Sequence, residues 1–351
     1  MIIDLFEIGL VIVALATLAG VKGHNFDIAS CIRRPGARRV LSRMLMVAVL
    51  VVSPAVVGMS SAWAAEPVIA AAGDIACPTD APAYNAGNGT ATECAQKRTS
   101  DLLVNTGLTA VLPLGDNQYE YGQLSHYTGA YGPTWGRVKS ISHPVPGNHE
   151  YLLDHDGKGY YDYFNGIGVQ NGPAGDRAKG YYSYNIGKWH LIALNGECGY
   201  VACDSGSAQV QWLAEDLRTH PNTTYPCTLA YWHEPRFSSG GTQGNTVYAP
   251  FWQTLSDAKV DIVLNGHDHI YERFARMDRN GSANTQGMRE FLVGTGGKNF
   301  GPISAVQPNS QVRKSNGFGV LRLTLRGMSY VWQFVSVTGQ SFTDSGSNNC
   351  H

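Results

Sequence analysis

Five short segments of the chain place aspartate, asparagine, histidine or tyrosine beside residues that favour turns. In chain order they are 73–74 (GD), 115–119 (GDNQY), 147–150 (GNHE), 232–235 (WHEP) and 266–269 (GHDH). Each segment alone is a weak signal, because Gly-Asp and similar pairs are common in turns. Together they supply carboxylate, amide, phenol and imidazole donors, a mixture that suits borderline metals such as zinc, iron and manganese. No cysteine belongs to the set, which disfavours a thiolate site.

Several of these segments directly follow a short apolar run. The runs are 67–72, 108–114, 228–232 and 260–264. Short apolar runs bounded by turn residues predict buried strands, and sites in open α/β sheets lie beyond the carboxyl ends of strands. Helices are predicted between them, at 93–105, 207–220 and 248–258. This alternation predicts parallel strands, whereas 181–195 and 319–337 have the alternating pattern of antiparallel hairpins.

The spacing within the last segment indicates a pair of metal ions. His267 and His269 are two residues apart, so an extended backbone points both side chains the same way, with Cα atoms about 6–7 Å apart. The two ions of a hydrolytic pair lie about 3.5–4 Å apart. Each histidine can therefore serve one ion, and a carboxylate with two oxygens can bridge them.

The ordered set GD, GD, GNHE, H and GHxH closely resembles the calcineurin-like metallophosphoesterase superfamily, from Gly73 to the C-terminal strands. Within it, residues 115–119 match the GDxxY pattern of purple acid phosphatases, and 266–273 (GHDHIYER) are similar to their GHxHxYER segment. The resemblance implies an α/β fold: a four-layer α/β/β/α sandwich with two mixed sheets packed face to face. It also implies one catalytic domain, residues 65–351, with the metals at one edge of the sheets.

The resemblance further implies a role for each site residue. Asp116 would bridge the two ions. The first ion would also be held by Asp74, Tyr119 and His269, and the second by Asn148, His233 and His267. In that family the first ion is ferric and the second is iron, zinc or manganese. A tyrosine fits this picture, because a phenol with a pKa of about 10 loses its proton at neutral pH only to a strongly Lewis-acidic ion. His149 would bind a phosphate oxygen or protonate the leaving group.

One motif departs from the family pattern. The first segment is usually GDxG, but here Ala76 stands at the last position. Since Asp74 is retained, we expect a shifted loop rather than a lost metal, with Cys77 fixing that loop. Glu150 and Asp268 fall outside the ligand set, where they are free to orient histidines.

The first 64 residues have the features of an export leader. Five arginines between residues 33 and 43 precede an apolar run at 44–59, which ends at Ala62-Trp63-Ala64. A basic region, an apolar region and a small-x-small site make up a secretory signal. We expect cleavage after Ala64, and hence a periplasmic, cell-surface or secreted protein. An uncleaved membrane anchor is the alternative, and the sequence leaves the export route open.

Six of the seven cysteines lie after residue 64. An even number in an exported protein predicts three disulfides, although sequence alone does not decide the pairing. We expect Cys77–Cys94 and Cys198–Cys203, whose spacing closes small loops, and with them Cys227–Cys350.

These observations favour a phosphomonoesterase of purple acid phosphatase type that acts on a small phosphate ester. The alternative is a phosphodiesterase on the same scaffold, with nucleotide or phospholipid head-group substrates. A non-enzymatic binding protein would have lost ligands, whereas all seven positions are filled. The formal net charge of −1 gives no electrostatic footprint for nucleic acid. We expect no stable membrane association after leader cleavage, and the oligomeric state and natural substrate stay open.

Overall fold

The computed structural model describes residues 65–351. The predicted leader and its cleavage site lie outside the described residues and stay predictions. The strands are β1 (Val68–Ala72), β2 (Ala110–Pro113), β3 (Asn171–Gly172), β4 (Gly175–Asp176), β5 (Tyr182–Ile186), β6 (Trp189–Ala193), β7 (Cys227–Tyr231), β8 (Ile262–Asn265), β9 (Tyr271–Met277), β10 (Met288–Val293), β11 (Ser310–Lys314), β12 (Gly319–Leu325), β13 (Ser329–Ser336) and β14 (Ser345–Asn349).

The helices are short and lie mostly between these strands. They are α1 (Gln96–Ser100), α2 (Leu124–His126), α3 (Asn148–Tyr151), α4 (Lys158–Phe164), α5 (Ala208–Thr219) and α6 (Ala249–Asp257). A π-helical turn covers Tyr127–Tyr131, and 3₁₀ turns cover Asn85–Gly87, Trp135–Ile141 and Thr246–Tyr248. Among the described residues, no helix has both the length and the apolar character needed to cross a bilayer.

Two mixed sheets form the centre of the protein. The first has the strand order β14-β13-β12-β1-β2, in which only β1 and β2 are parallel. The second has the order β11-β9-β10-β8-β7-β6-β5, with β6, β7, β8 and β10 parallel. One apolar core joins them, since Leu112 and Leu321 of the first sheet pack in the same cluster as Leu229 and Phe291 of the second. The predicted α/β fold with two mixed sheets packed face to face is confirmed.

The outer face of the second sheet is covered by α5 and α6. Leu213 of α5 and Phe251 of α6 are fully buried in a second apolar cluster with Ala230 and Val263 of the sheet. Ser207 caps α5, because its hydroxyl accepts a hydrogen bond from the Val210 amide at 3.2 Å. The predicted helices at 207–220 and 248–258 therefore form, and each buries one face.

The helix predicted at 93–105 is much shorter than expected. Only Gln96–Ser100 is helical, and Cys94 just before it has a φ of 57°, outside the helical region. After the helix, the amides of Leu102 and Leu103 bond to carbonyls three residues back rather than four. The turn therefore tightens and the helix ends.

Both predicted hairpins and all three predicted disulfides are present. The turn between β5 and β6 lies at Gly187-Lys188, where Gly187 has a φ of 59°, and β12 and β13 flank Gly327. The disulfides are Cys77–Cys94, Cys198–Cys203 and Cys227–Cys350. The last one joins the first residue of β7 to the chain just beyond β14.

Candidate metal centre

Four strand ends supply most of the predicted ligands. Asp74 follows β1, Asp116 follows β2, His233 follows β7 and His267 follows β8. Asp74, Asp116 and His267 have φ values of 60°, 45° and 68°. This left-handed conformation is costly for residues with a Cβ, and it persists where the surrounding structure enforces it. Here it turns the chain sharply, so that the side chains meet above the strand ends.

The phenol of Tyr119 lies at the centre of the first group of donors. Its hydroxyl oxygen is 3.0 Å from Asp74 Oδ1, 3.1 Å from Asp116 Oδ2 and 3.0 Å from His269 Nε2. His269 Nε2 is also 3.3 Å from Asp74 Oδ1. The structure thus brings together all four residues predicted for the first ion.

The second group meets the first at Asp116. His233 Nε2 is 3.3 Å from Asp116 Oδ2, and His267 Nδ1 is 3.3 Å from His233 Nε2. His267 Nδ1 is also 3.1 Å from Asn148 Oδ1, at the first residue of α3. All seven predicted ligands therefore belong to one connected cluster, in which the Asp116 carboxylate faces both groups.

The spacing of these donors fits metal coordination. Ligands about 2.1 Å from one ion, at angles of about 90–109°, lie about 3.0–3.4 Å apart. The neighbouring donor atoms of both groups are 3.0–3.3 Å apart. In addition, Asp74 and Asp116 are buried, and no lysine or arginine among residues 65–351 forms an ion pair with either carboxylate. Buried carboxylates call for compensating positive charge, which a pair of cations would supply.

The local electrostatics agree with this donor set. Burial and the Asp116 and Asp74 carboxylates raise the pKa of Tyr119 well above its ordinary value, so its phenolate needs a strong Lewis acid. Burial opposes a charge on His233, but the Asp116 carboxylate outweighs it and raises the pKa of His233 well above normal. Without a cation, Asp116 therefore favours a proton on His233, and metal binding would displace that proton.

His233 and His269 are oriented by hydrogen bonds on their outer nitrogens. His233 Nδ1 lies 2.8 Å from the Leu114 carbonyl oxygen, and His269 Nδ1 lies 2.8 Å from Asn299 Oδ1. Each acceptor places a proton on Nδ1 and leaves Nε2 as the ligating atom.

His149 lies beside the ligand cluster, and none of its contacts requires it as a ligand. Its Nδ1 donates to the Glu120 carbonyl oxygen at 2.6 Å, and its ring packs on Tyr119 with centroids 4.3 Å apart. Its Nε2 lies 3.8 Å from Asp116 Oδ2, and its side chain is 22% exposed. A proton on Nε2 would thus face the cluster from an accessible position.

Glu150 and Asp268 position loops rather than histidines. The Glu150 carboxylate accepts hydrogen bonds from the amides of Gly147, Asn117 and Gln118 and from the Tyr127 hydroxyl. It therefore ties the loop of Asp116 to the loop of Asn148.

The Asp268 carboxylate instead accepts hydrogen bonds from Ser238 and Thr242. The suggestion that these two acids orient histidine rings is not supported by their hydrogen bonds.

Ala76 is accommodated inside the site. It is fully buried, and its amide donates to the Asn117 carbonyl at 3.1 Å while its carbonyl accepts from the Tyr119 amide at 2.9 Å. Cys77 follows directly and is bonded to Cys94. Asp74 still reaches the cluster, so the departure from GDxG leaves the ligand side chain in place.

The sequence analysis missed three residues beside the cluster: Glu120, Lys298 and Asn299. Lys298 and Asn299 follow β10 in a GTGGKN segment. A polar residue after a glycine turn and a buried strand is the same signal that marked the other site segments. Glu120 directly follows the motif of residues 115–119. It holds His149 through its backbone carbonyl oxygen, so its side chain gives no sequence signal for this contact.

The comparisons with known proteins agree with this arrangement. Purple acid phosphatase 15 of Arabidopsis thaliana is 31% identical over 152 residues, which are 41% of this chain and 28% of that protein. Purple acid phosphatase 22 of Arabidopsis thaliana is 30% identical over 151 residues, 41% of this chain and 34% of that protein. The matched segment thus spans about a third of the length of these relatives.

The fold is also that of a solved relative. The structure of purple acid phosphatase PPD1 from yellow lupin seeds has a TM-score of 0.65 and 19% identity, and the match covers 82% of this chain and 54% of that one. The sequence model of the calcineurin-like phosphoesterase family matches residues 69–271, which include every predicted ligand. This protein therefore belongs to the calcineurin-like phosphoesterase family.

Proposed function

We propose that the chain is an exported phosphatase that uses two metal ions to hydrolyse phosphomonoesters, as a purple acid phosphatase does. The observation that carries the proposal is that seven side chains from five segments meet in one cluster of oxygen and nitrogen donors. Asp116 and Tyr119 lie at its centre. Asp74, Tyr119 and His269 would hold a ferric ion together with Asp116. The second ion would be iron, zinc or manganese, held by Asn148, His233, His267 and Asp116.

The roles of the chain's own residues follow from the contacts. Two cations bound at this centre would polarise phosphate oxygens and make water a stronger nucleophile near neutral pH. The Asp116 carboxylate holds both groups of ligands in one arrangement. Asn299 and the Leu114 carbonyl fix the rings of His269 and His233, which limits reorganisation during turnover.

His149 is the residue placed to handle a proton or a phosphate oxygen. Its Nδ1 is held by the Glu120 carbonyl, so the ring presents Nε2 to the cluster. A proton on Nε2 can bond to a phosphate oxygen or pass to the leaving alcohol as the P–O bond breaks. The hydrogen bond from His149 to Asp116 comes from the backbone amide, at 2.9 Å, so the His149 ring can act without serving as a ligand.

Export is supported by two features of the chain. Its leader-like first 64 residues lie before the domain, and three disulfides join the cysteines after them. Disulfides persist in oxidising compartments and are rare in the cytosol. N-terminal sequencing of the protein recovered outside the cytoplasm should begin at Ala65, and a start at any other residue would contradict cleavage after Ala64.

An assay with matched substrates tests the activity. We expect the purified protein to hydrolyse p-nitrophenyl phosphate much faster than bis-p-nitrophenyl phosphate, and to lose both activities on removal of metal. Faster hydrolysis of the diester would assign the chain to the phosphodiesterase alternative. No hydrolysis of either ester by the metal-loaded protein would contradict the proposal.

A further inference from the structure

We propose that Lys298 and Glu120 form a charge pair that tunes the electron donation of Tyr119 to its metal ion. This inference rests on the proposed role of Tyr119 as a ligand of Fe(III). It concerns side chains that make no direct contact with the donor atoms of the cluster.

Lys298 lies against the face of the Tyr119 ring. Its Nζ is 4.6 Å from the ring centroid, and its side chain is only 18% exposed. An ammonium over an aromatic face is attracted to the ring electrons, and partial burial strengthens the attraction. Since a phenolate carries more negative charge on its ring than a phenol, the ammonium interacts more strongly with the ring of a metal-bound Tyr119.

The backbone fixes the position of Lys298. Its amide donates to the Asp74 carbonyl at 2.9 Å, and its carbonyl accepts from the Cys94 amide at 2.9 Å. Cys94 is in turn bonded to Cys77, next to the Asp74 loop. The backbone of Lys298 is therefore tied to the backbone of a predicted ligand and to a disulfide. Its ammonium is held beside the Tyr119 ring by the ion pair with Glu120.

Glu120 supplies the opposing charge. Its carboxylate forms an ion pair with Lys298 Nζ and is 45% exposed. The ammonium is the charge that contacts the ring, so the pair leaves Tyr119 in a net positive field. Removing Lys298 and removing the charge of Glu120 should therefore change this field in opposite directions.

The effect is measurable as colour. A phenolate–Fe(III) absorption band arises when an electron moves from the ring to the ion. A positive charge against the ring stabilises the ring orbital that gives up the electron more than the metal orbital that receives it. The reason is distance, because the ligand atoms that would hold the ion lie beyond the phenol oxygen, away from the ammonium. The ammonium should thus raise the energy of the band, and the Glu120 carboxylate should lower it.

The experiment compares the visible spectra, the iron contents and the KM for p-nitrophenyl phosphate of aerobically purified variants. We expect Lys298→Met to shift the band to longer wavelength and Glu120→Gln to shift it to shorter wavelength, with iron content unchanged in both. Lys298→Arg keeps the charge and should restore the wild-type position. Lys139→Met is a matched control, because Lys139 Nζ lies 4.4 Å from the ring of Tyr163, which is not a predicted ligand.

The outcomes separate this proposal from the proposed function. An iron-containing, coloured wild type whose band does not move in Lys298→Met would overturn the role of Lys298 alone. Shifts of both variants in the same direction would indicate a rearranged site, and would also overturn it. An unmoved band with a raised KM would assign Lys298 to substrate phosphate binding instead. A wild type without iron and without the band would overturn the ferric assignment, and this inference with it.

Discussion

Two clusters of histidine and aspartate in this protein have similar composition and different geometry. In the first, Asp116, His233 and His267 offer donor atoms within 4.8 Å of one another, and so do His190, Asp216 and His220 in the second. The rings of His233 and His267 are perpendicular, with centroids 5.1 Å apart. The rings of His190 and His220 are stacked, with centroids 4.1 Å apart and an interplanar angle of 9°.

The difference decides which cluster can hold an ion. A ring nitrogen donates to a metal in the plane of its ring, and two stacked rings cannot both point at one ion between them. Both nitrogens of His190 also have partners already, Asn185 Oδ1 at 2.8 Å and Asp216 Oδ2 at 2.7 Å. In the first cluster His233 Nδ1 is bonded to the backbone, whereas His233 Nε2 faces other donor atoms of the cluster. Ring orientation and free lone pairs, rather than composition, distinguish a metal site from a structural network.

The largest expected difference between the two clusters, in metal content and activity, appears when the carboxylate of each is removed. Asp116→Ala should lose bound metal and reduce phosphatase activity by more than about 10³-fold, beyond the cost of losing one electrostatic donor. The Asp216→Ala variant should keep the metal bound at the Asp116 cluster and its phosphatase activity. Its free energy of unfolding should fall by about 1–3 kcal/mol, because His190 loses a buried partner.

Metal analysis, activity assays and urea unfolding of both variants measure this contrast. Loss of metal from Asp216→Ala, or full metal content in Asp116→Ala, would reverse the assignment of the two clusters.

A smaller effect is expected at the histidines that lie beside each carboxylate. His149→Ala should keep its metal content and lose about 10²–10⁴-fold in kcat, the usual range for a positioned acid–base group. His220→Ala is the matched control, since this partly exposed histidine lies 3.3 Å from Asp216 Oδ1 and its ring bonds only to Thr219 and Asp216. An unchanged kcat in His149→Ala would limit His149 to a structural role.

The sequence predicted which side chains meet in the cluster because each one is marked locally. A buried apolar run followed by glycine and a donor residue identifies the end of a strand, as at Asp74, Asp116 and His267. The two strand pairs β1–β2 and β7–β8 are parallel, so these ends meet at one edge. The hairpin turns and the short-range disulfides are also local features, which is why they could be predicted.

The surroundings of the ligands could not be predicted in this way. Lys298 and Glu120 are 178 residues apart, and their contact depends on how β10 lies in the second sheet. The helix expected at 93–105 failed for a similar reason. Its start is held by a bond from the Cys94 amide to the Lys298 carbonyl, a long-range contact that local helix propensity does not report.

The smallest expected effect concerns a carboxylate that is neutralised by fixed cations, in contrast to Asp116. Burial opposes ionisation of Asp162, but bonds from Lys158, the Gly168 amide and Arg177 outweigh it and lower its pKa to about 2. A lowered folded-state pKa stabilises the protein above the unfolded value of about 3.9, and this contribution is lost as pH falls toward 2.

Asp162→Asn should therefore unfold with a free energy about 1–2 kcal/mol lower than wild type at pH 7. The gap should narrow to about half near pH 3. Urea unfolding of both proteins at pH 7, 5 and 3 measures it. A gap that does not change with pH would show that the Asp162 charge contributes nothing.

The metal content and visible spectrum of the aerobically purified wild type test the central claim most directly. We predict about two ions per chain, at least one of them iron, and a visible charge-transfer band. Tyr119→Phe should lose that band while keeping the fold, because only one hydroxyl is removed, and its activity should fall less than in Asp116→Ala. A colourless, fully active wild type that contains only zinc or manganese would contradict the account, because Tyr119 would then not be a ligand of Fe(III).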